Sequence, residues 1–287
     1  MNIFDDLTYQ YKKGGFSNKI IFWNVGAFLL SFFFYQFKLG VFNFPNGLPL
    51  DSDPIALLYQ PWTLITYAFL HAGFLHLFFN LMIFNFSSQL FLTFFSQKQL
   101  VGLYVLSAIF AGLCFVGVYY LMDTSSKIVG SSAAVMAILV ATTTYQPLME
   151  IRLLFLGKIK LWYLTAVIVL LDAMQMLVEN TGGHIVHIAG ALFGFVFVKL
   201  LINGVDVTKV VANAIDFTEK LIDPKKKTPF KKVYTSAPKR NPVVSKSTIK
   251  IKDKTQQQID DILDKISKSG YDSLSVEEKE FLFKAGK

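Results

Sequence analysis

Six apolar stretches, roughly 20–42, 67–95, 99–122, 129–146, 159–178 and 183–203, fill most of the chain up to residue 203. About 20 apolar residues cross a bilayer as helix, and in lipid only a helix or a closed barrel satisfies its own backbone. The pattern therefore predicts an all-α membrane protein built as a six-transmembrane-helix bundle. The fourth stretch is short and is expected to begin below the membrane surface. Composition agrees: 17% of the 287 residues are charged, where a soluble domain carries about 25%, and the mean hydropathy is +0.45.

Charge divides the chain. Residues 1–203 hold 10 Lys/Arg and 8 Asp/Glu, whereas residues 204–287 hold 18 and 12. The net charge of +8 has its source in residues 224–254, which carry 11 basic residues and one acid, Asp253. A basic stretch directly after a membrane domain fits anionic lipid headgroups and topology control better than nucleic acid, so no nucleic-acid partner is expected. The expected organisation is a cytoplasmic N-terminal segment (1–19), a six-helix domain (20–203), a basic flexible linker (204–254) and a short C-terminal helical hairpin (255–287). In the hairpin, Ile259, Ile262, Leu263 and Ile266 form an amphipathic stripe. Gly270 ends that helix, and Ser275 with Glu278 forms a capping box for the next. The single cysteine, Cys114, excludes an internal disulfide and any multi-cysteine metal site.

Segment 1–19 is too long and polar for a signal-peptide n-region, and no clear cleavage site follows, so the first span is expected to be retained. Lys12, Lys13, Lys19, Lys98, Arg152, Lys158, Lys160 and the tail lie on one side of the predicted spans. The opposite loops, 43–66, 123–128 and 179–182, hold Lys127 against Asp51, Asp53, Asp123 and Glu179. Positive residues stay inside, which places both termini in the cytoplasm. Loop 43–66 is long, lacks clear periodicity, and carries Trp62 as the expected interfacial anchor.

All four histidines fall in apolar stretches: His71 and His76 in "HAGFLHLFFN", His184 and His187 in "GGHIVHIAGALFGF". With a rise of about 1.5 Å per residue, these histidines, Asn80 and the pair Ser131–Ser132 all lie in the outer half of the bilayer. On a helix, His76 and Asn80 share a face and His71 points away from it. His187, Gly190 and Gly194 form one stripe; Gly130, Ala134, Ala137 and Ala141 form a small-residue stripe that lets the sixth span approach the fourth. Asp172 and Gln175 read as cavity-facing structural polars. A histidine beside a serine in a partly dry site can take its proton and generate a nucleophile, and the oxyanion that follows needs donors nearby. His76, Asn80 and a backbone N–H at the helix start could supply them.

The ordered strings His-x4-His-x3-Asn, Gly-x-Ser-x and His-x2-His-x2-Gly-x3-Gly, with "PWTLITYAFLH" ahead of them, resemble the rhomboid intramembrane serine proteases over roughly residues 20–203. The resemblance implies a six-transmembrane-helix rhomboid bundle with a short helical cytoplasmic tail. It also implies an outward-opening aqueous site and a Ser–His dyad with no acidic third member. Carried over by position, Ser132 is the nucleophile and His187 the general base, with His76 and Asn80 on the oxyanion side. His71, Gly130, His184, Gly190 and Gly194 support the site, and no cofactor or metal is required. Implied partners are single-pass transmembrane protein substrates and the bilayer; the likeness gives the tail no role, and lipid headgroups or a cytoplasmic partner are expected for it from its basic charge alone. The implied location is a bacterial inner membrane. Departures from the family pattern are Thr63 where arginine is common, Ala133 in place of a glycine, and Met136 in place of an aromatic residue. The alternatives are an inactive rhomboid-like protein that binds membrane clients and a histidine-based metal transporter. Against the transporter, the sequence places His71 away from His76 and no carboxylate or cysteine beside the histidines.

Overall fold

The computed structural model describes residues 2–36, 39–153, 157–175, 181–222 and 254–285. The chain divides into two compact units, Met1–Lys227 and Thr228–Lys287.

The first unit is mainly helical. It opens with α1 (Ile3–Lys13) and α2 (Gly15–Ser31), separated by Gly14 and by Gly15 at φ +68°. The expected span over 20–42 is thus shifted. Its helix starts at Gly15 and ends in a 3-10 turn at Phe32–Phe34, and residues 35–36 (β1) pair with 41–42 (β2) as a small antiparallel ladder. Loop 43–66 carries its own structure. Leu50–Asp51 (β3) pairs antiparallel with Lys127–Ile128 (β4), and Leu50 is fully buried. Asp53 caps α3 (Pro54–Tyr59) by accepting the Ile55 N–H at 2.9 Å, as a short polar side chain at an N-cap does. A four-residue helix, α4 (Thr63–Thr66), runs into a 3-10 turn at Tyr67–Phe69.

The remaining long helices follow: α5 (Phe74–Phe91), α6 (Gln97–Leu121), α7 (Ser132–Tyr145), α8 (Leu161–Gln175) and α9 (Thr181–Ile202). The stretch predicted as a helix from 67 becomes helical at Phe74. Residues 70–73 are irregular, which removes the rotational basis for pointing His71 away from His76. α6 starts at a reciprocal capping box between Ser96 and Gln99, which satisfies two otherwise unpaired N–H groups. Between α7 and α8, Glu150–Leu153 (β5) pairs with Gly157–Lys160 (β6). The part of the expected fifth span beyond Gln175, and Glu179, lie outside the described residues. By length and composition four helical segments among the described residues can cross a membrane, Gly15–Phe34, Phe74–Phe91, Gln97–Leu121 and Thr181–Ile202; α7 and α8 are shorter and apolar.

Burial separates these helices. α6 is the central strut, in contact with α2, α7, α9 and α10 (Lys209–Ile222). α7 is buried along nearly its whole length. α8 buries only Leu161 and Thr165 and exposes Trp162, Val167, Leu170, Leu171 and Met174, a surface suited to hydrocarbon rather than water. Two tyrosines fix the turn before α5. The Tyr67 hydroxyl donates to the Ala108 carbonyl and the Tyr104 hydroxyl to the Ala68 carbonyl, both at 2.8 Å.

Residues 204–222, expected as the start of a flexible linker, instead form α10 and dock on the start of α6. Asp206 accepts the Thr208 N–H at 2.9 Å, Val211 and Ile215 join the core, and Lys98 pairs with Asp216. A Cβ on Gly102 would meet Thr208 Cβ at 2.5 Å, so the two backbones approach closely there. The rest of the expected linker, 223–253, lies outside the described residues.

The second unit holds α11 (Lys254–Ser269) and α12 (Val276–Ala285), with a 3-10 turn at Tyr271–Ser273. Gly270 takes φ +76° at the break, a left-handed conformation that glycine adopts without strain. The capping box forms: Ser275 Oγ accepts the Glu278 N–H at 3.2 Å, and Glu278 Oε2 accepts the Ser275 N–H at 2.8 Å. Lys265 donates to both Glu278 oxygens at 2.9 Å. That bond holds the Glu278 carboxyl below its usual range.

Candidate active site

The site begins with a glycine. Gly130 sits at φ +136°, a region open to glycine, and a Cβ there would meet His76 Cε1 at 2.9 Å. Its N–H donates to the Tyr67 carbonyl at 2.9 Å, which ties the loop before α7 to the turn before α5. Two residues later the chain enters α7 with Ser132 as its first residue. The side chain at a helix start projects beside unpaired backbone N–H groups and the positive end of the helix dipole.

α9 lies directly on α7. A Cβ at Gly190 would fall 2.2 Å from the Ala133 carbonyl oxygen, and one at Gly194 would fall 2.2 Å from that of Ala137. Backbone therefore meets backbone, as small residues at helix interfaces permit. The small-residue stripe expected on α7 differs in register: Ala133 and Ala137, rather than Ala134, receive the two glycines. This contact carries His187, one turn before Gly190, to the head of α7.

His187 Nε2 stands 2.6 Å from Ser132 Oγ. His187 Nδ1 stands 2.6 Å from Asp172 Oδ1 on α8, and His184 Nδ1 stands 2.8 Å from the same oxygen. His184 and Asp172 are nearly buried, and the His187 side chain is 21% exposed. Asp172 departs from two expectations. The resemblance implies a dyad without an acidic member, and the sequence reading leaves no carboxylate beside the histidines; the structure brings one against both. The signal was available in the sequence, because a carboxylate in an apolar span is costly. On the expected topology Asp172 also falls near the outer end of its span, the layer expected to hold the histidines.

His76 and Asn80 lie on α5, and both line a cleft of about 340 Å³ with Ser132, Met136, Asp172 and His187. Asn80 Nδ2 donates to the His76 carbonyl at 2.8 Å. An amide nitrogen carries two hydrogens, so this bond orients the group and leaves a second donor. A second cavity of about 380 Å³ reaches His76, Ser132 and His187 from the side of Lys127–Gly130 and Gly183.

His71 is not turned away from His76. Its ring lies 5.1 Å from that of His76, centroid to centroid, and its Nε2 is 3.3 Å from Ser131 Oγ. The irregular backbone at 70–73 turns it inward. Of the family departures, Thr63 is buried and donates to the Gln60 carbonyl at 2.7 Å, and Trp62 donates to the Gly47 carbonyl at 2.8 Å.

Asp172, His184 and His187 offer one donor atom each within 4.8 Å, a set that could hold a cation. The two histidine Nδ1 atoms lie 2.8 and 2.6 Å from Asp172 Oδ1, which are hydrogen-bond lengths.

Residues 59–204 match the family model of the rhomboid domain. Residues 250–284 match a family of unknown function (DUF6576). No curated protein matches the chain. With its long apolar helices the chain is an integral membrane protein, and the matched segment contains the head of α7, the start of α9 and the cleft between them. The chain belongs to the rhomboid family.

Proposed function

We propose that this chain is an intramembrane serine endopeptidase that cleaves single-pass transmembrane protein substrates through an acyl-enzyme intermediate. The observation that carries the reading is the 2.6 Å contact between Ser132 Oγ and His187 Nε2 inside a cleft. As Oγ attacks the scissile carbonyl carbon, His187 Nε2 takes the hydroxyl proton and the carbonyl π electrons move to oxygen. His187 then returns the proton to the leaving amine as the C–N bond breaks, and water cleaves the ester by the reverse proton path. The free N–H of Asn80, the His76 ring and the N–H groups at the head of α7 serve the oxyanion.

The cleft suits an apolar substrate segment: Phe79, Ile83, Val135, Leu139, Ile168 and Leu171 line it. The second cavity, bordered by Lys127 and the backbone of Gly130, gives water and polar chain a route to the same serine. In this reading α2, α5, α6, α7, α8 and α9 are the six spans and both termini are cytoplasmic, as the lysine distribution requires. The setting is a bacterial plasma membrane. The basic segment beyond α10 meets anionic headgroups or a cytoplasmic partner.

The test uses purified full-length protein in liposomes with a model transmembrane substrate and a serine-reactive fluorophosphonate. The expected result is cleavage and labelling, both lost in Ser132→Ala. Intact protein that neither cleaves nor labels would point to an inactive client-binding member. Cleavage that survives Ser132→Ala and disappears with a chelator would assign the Asp172–His184–His187 group to a bound metal.

A further inference from the structure

We infer that Asp172 is the positioning residue of the catalytic histidine, which turns the expected Ser–His pair into a three-member relay. The inference rests on the serine protease reading above.

The geometry carries it. Ser132 Oγ, His187 Nε2, His187 Nδ1 and Asp172 Oδ1 form an unbroken chain of two 2.6 Å contacts. A carboxylate only accepts hydrogen bonds, so the Oδ1 contact fixes the proton on Nδ1 and leaves the Nε2 lone pair facing the serine. That is the tautomer a general base needs. Asp172 Oδ2 is buried and has no hydrogen-bond partner among the described residues. Its Oδ1 meets both His184 and His187.

Charge explains why a carboxylate occupies an apolar helix. With Ser132 protonated, the group of Asp172, His184 and His187 carries one negative charge. When Nε2 receives the serine proton, the ring becomes cationic against that carboxylate and the local pair is neutral. Low dielectric strengthens this compensation, and it arises only as the reaction proceeds, so it favours the transition state over the bound substrate. Asp172 stays ionised throughout and takes no proton. His184, bonded to the same Oδ1 at 2.8 Å, holds the carboxylate in line from the other side. α8 is otherwise held by little buried surface, so these two bonds also tie it to α9.

A merely structural Asp172 would give a different signature, and the experiment separates the two. In liposomes, Asp172→Asn is expected to lower kcat about 10²–10⁴-fold with KM within about threefold. The rate of Ser132 labelling should fall by the same factor, and Asp172→Glu should recover part of the loss by restoring a carboxylate. In the unaltered protein, ¹⁵N-histidine spectra should show His187 protonated at Nδ1; this reading needs no variant to fold. A His187 protonated only at Nε2, or an Asp172→Asn enzyme with unchanged kcat, would overturn the inference while leaving the serine protease intact. Retention of cleavage in Ser132→Ala would instead remove the reading beneath it.

Discussion

Two serine–histidine contacts stand one residue apart at the head of α7, and their surroundings differ in every respect that matters to chemistry. Ser131 Oγ lies 3.3 Å from His71 Nε2, with His71 fully buried and Ser131 2% exposed. Ser132 Oγ lies 2.6 Å from His187 Nε2, with the His187 side chain 21% exposed and both residues lining a cleft. Only His187 has a carboxylate against its second nitrogen. A hydroxyl near an imidazole is thus not sufficient for a nucleophile. An open cleft, a shorter contact and a carboxylate against the second ring nitrogen distinguish the second pair, while the first reads as a buried polar contact that ties the loop before α5 to the head of α7.

The largest expected effect divides the pairs outright. Ser132→Ala and His187→Ala should each reduce cleavage of a transmembrane substrate by at least about 10⁴-fold; thermal unfolding in detergent should change little in Ser132→Ala and shift lower in His187→Ala, which loses a bond between α8 and α9. The comparison breaks if Ser131→Ala rather than Ser132→Ala removes fluorophosphonate labelling.

Next in size is the contact that delivers His187. Gly190→Ala would gain about 1 kcal/mol of helix propensity. It would also place a methyl 2.2 Å from the Ala133 carbonyl oxygen, a backbone atom that cannot swing away. Overpacking of this kind costs about 1–3 kcal/mol, occasionally more, so net destabilisation is expected. A displacement of about 1 Å at His187 would lower kcat by about 10²-fold. Kinetics and denaturant titration of the same preparation check both. Unchanged kcat would mean that the backbone contact of α7 and α9 does not set the Ser132–His187 distance.

Depth along a helix is legible in sequence, because it needs only the rise per residue and the ends of apolar stretches. That is why the sequence alone places His76, Asn80, Ser132, His184 and His187 in one layer. Rotation is not legible in the same way. His71 reads as turned away from His76 only if 67–95 is one helix, and Gly73 with the turn at Tyr67–Phe69 interrupts it. The partner of Gly190 depends on how α7 is rotated about its axis, which packing decides, so Ala133 takes the place expected of Ala134. Asp172 lies between these cases. Its depth and its cost in an apolar span were visible, but its contact with both histidines required the rotation of α8. α10 escapes a reading based on charge, since Val211 and Ile215 make its half-buried face beside a strongly basic stretch.

His71→Ala removes a fully buried ring in contact with His76 and leaves Ser131 Oγ without this partner. The loss of packing and of a buried hydrogen bond should cost about 2–4 kcal/mol, read by denaturant titration. kcat should stay within about tenfold, since His71 touches no reacting atom. A kcat loss as large as that of His187→Ala would place His71 in the relay and dissolve the distinction between the pairs.

The smallest effect is the sharpest control. Ser131→Ala removes a hydroxyl but leaves the N-cap carbonyl that accepts the Val135 N–H at 3.1 Å, because that bond is made by backbone. No side-chain cap bond is lost at the head of α7. The cost is the 3.3 Å hydrogen bond to His71 and the polar contact with the Tyr104 side chain, together about 0.5–1.5 kcal/mol, and kcat should stay within about threefold. The same change in a His71→Ala background should cost less than in the parent, because the shared bond is already gone; a double-mutant cycle measures that difference. Strict additivity would show that Ser131 and His71 do not interact. The only serine–histidine contact of consequence at the head of α7 would then be the one that opens to the cleft.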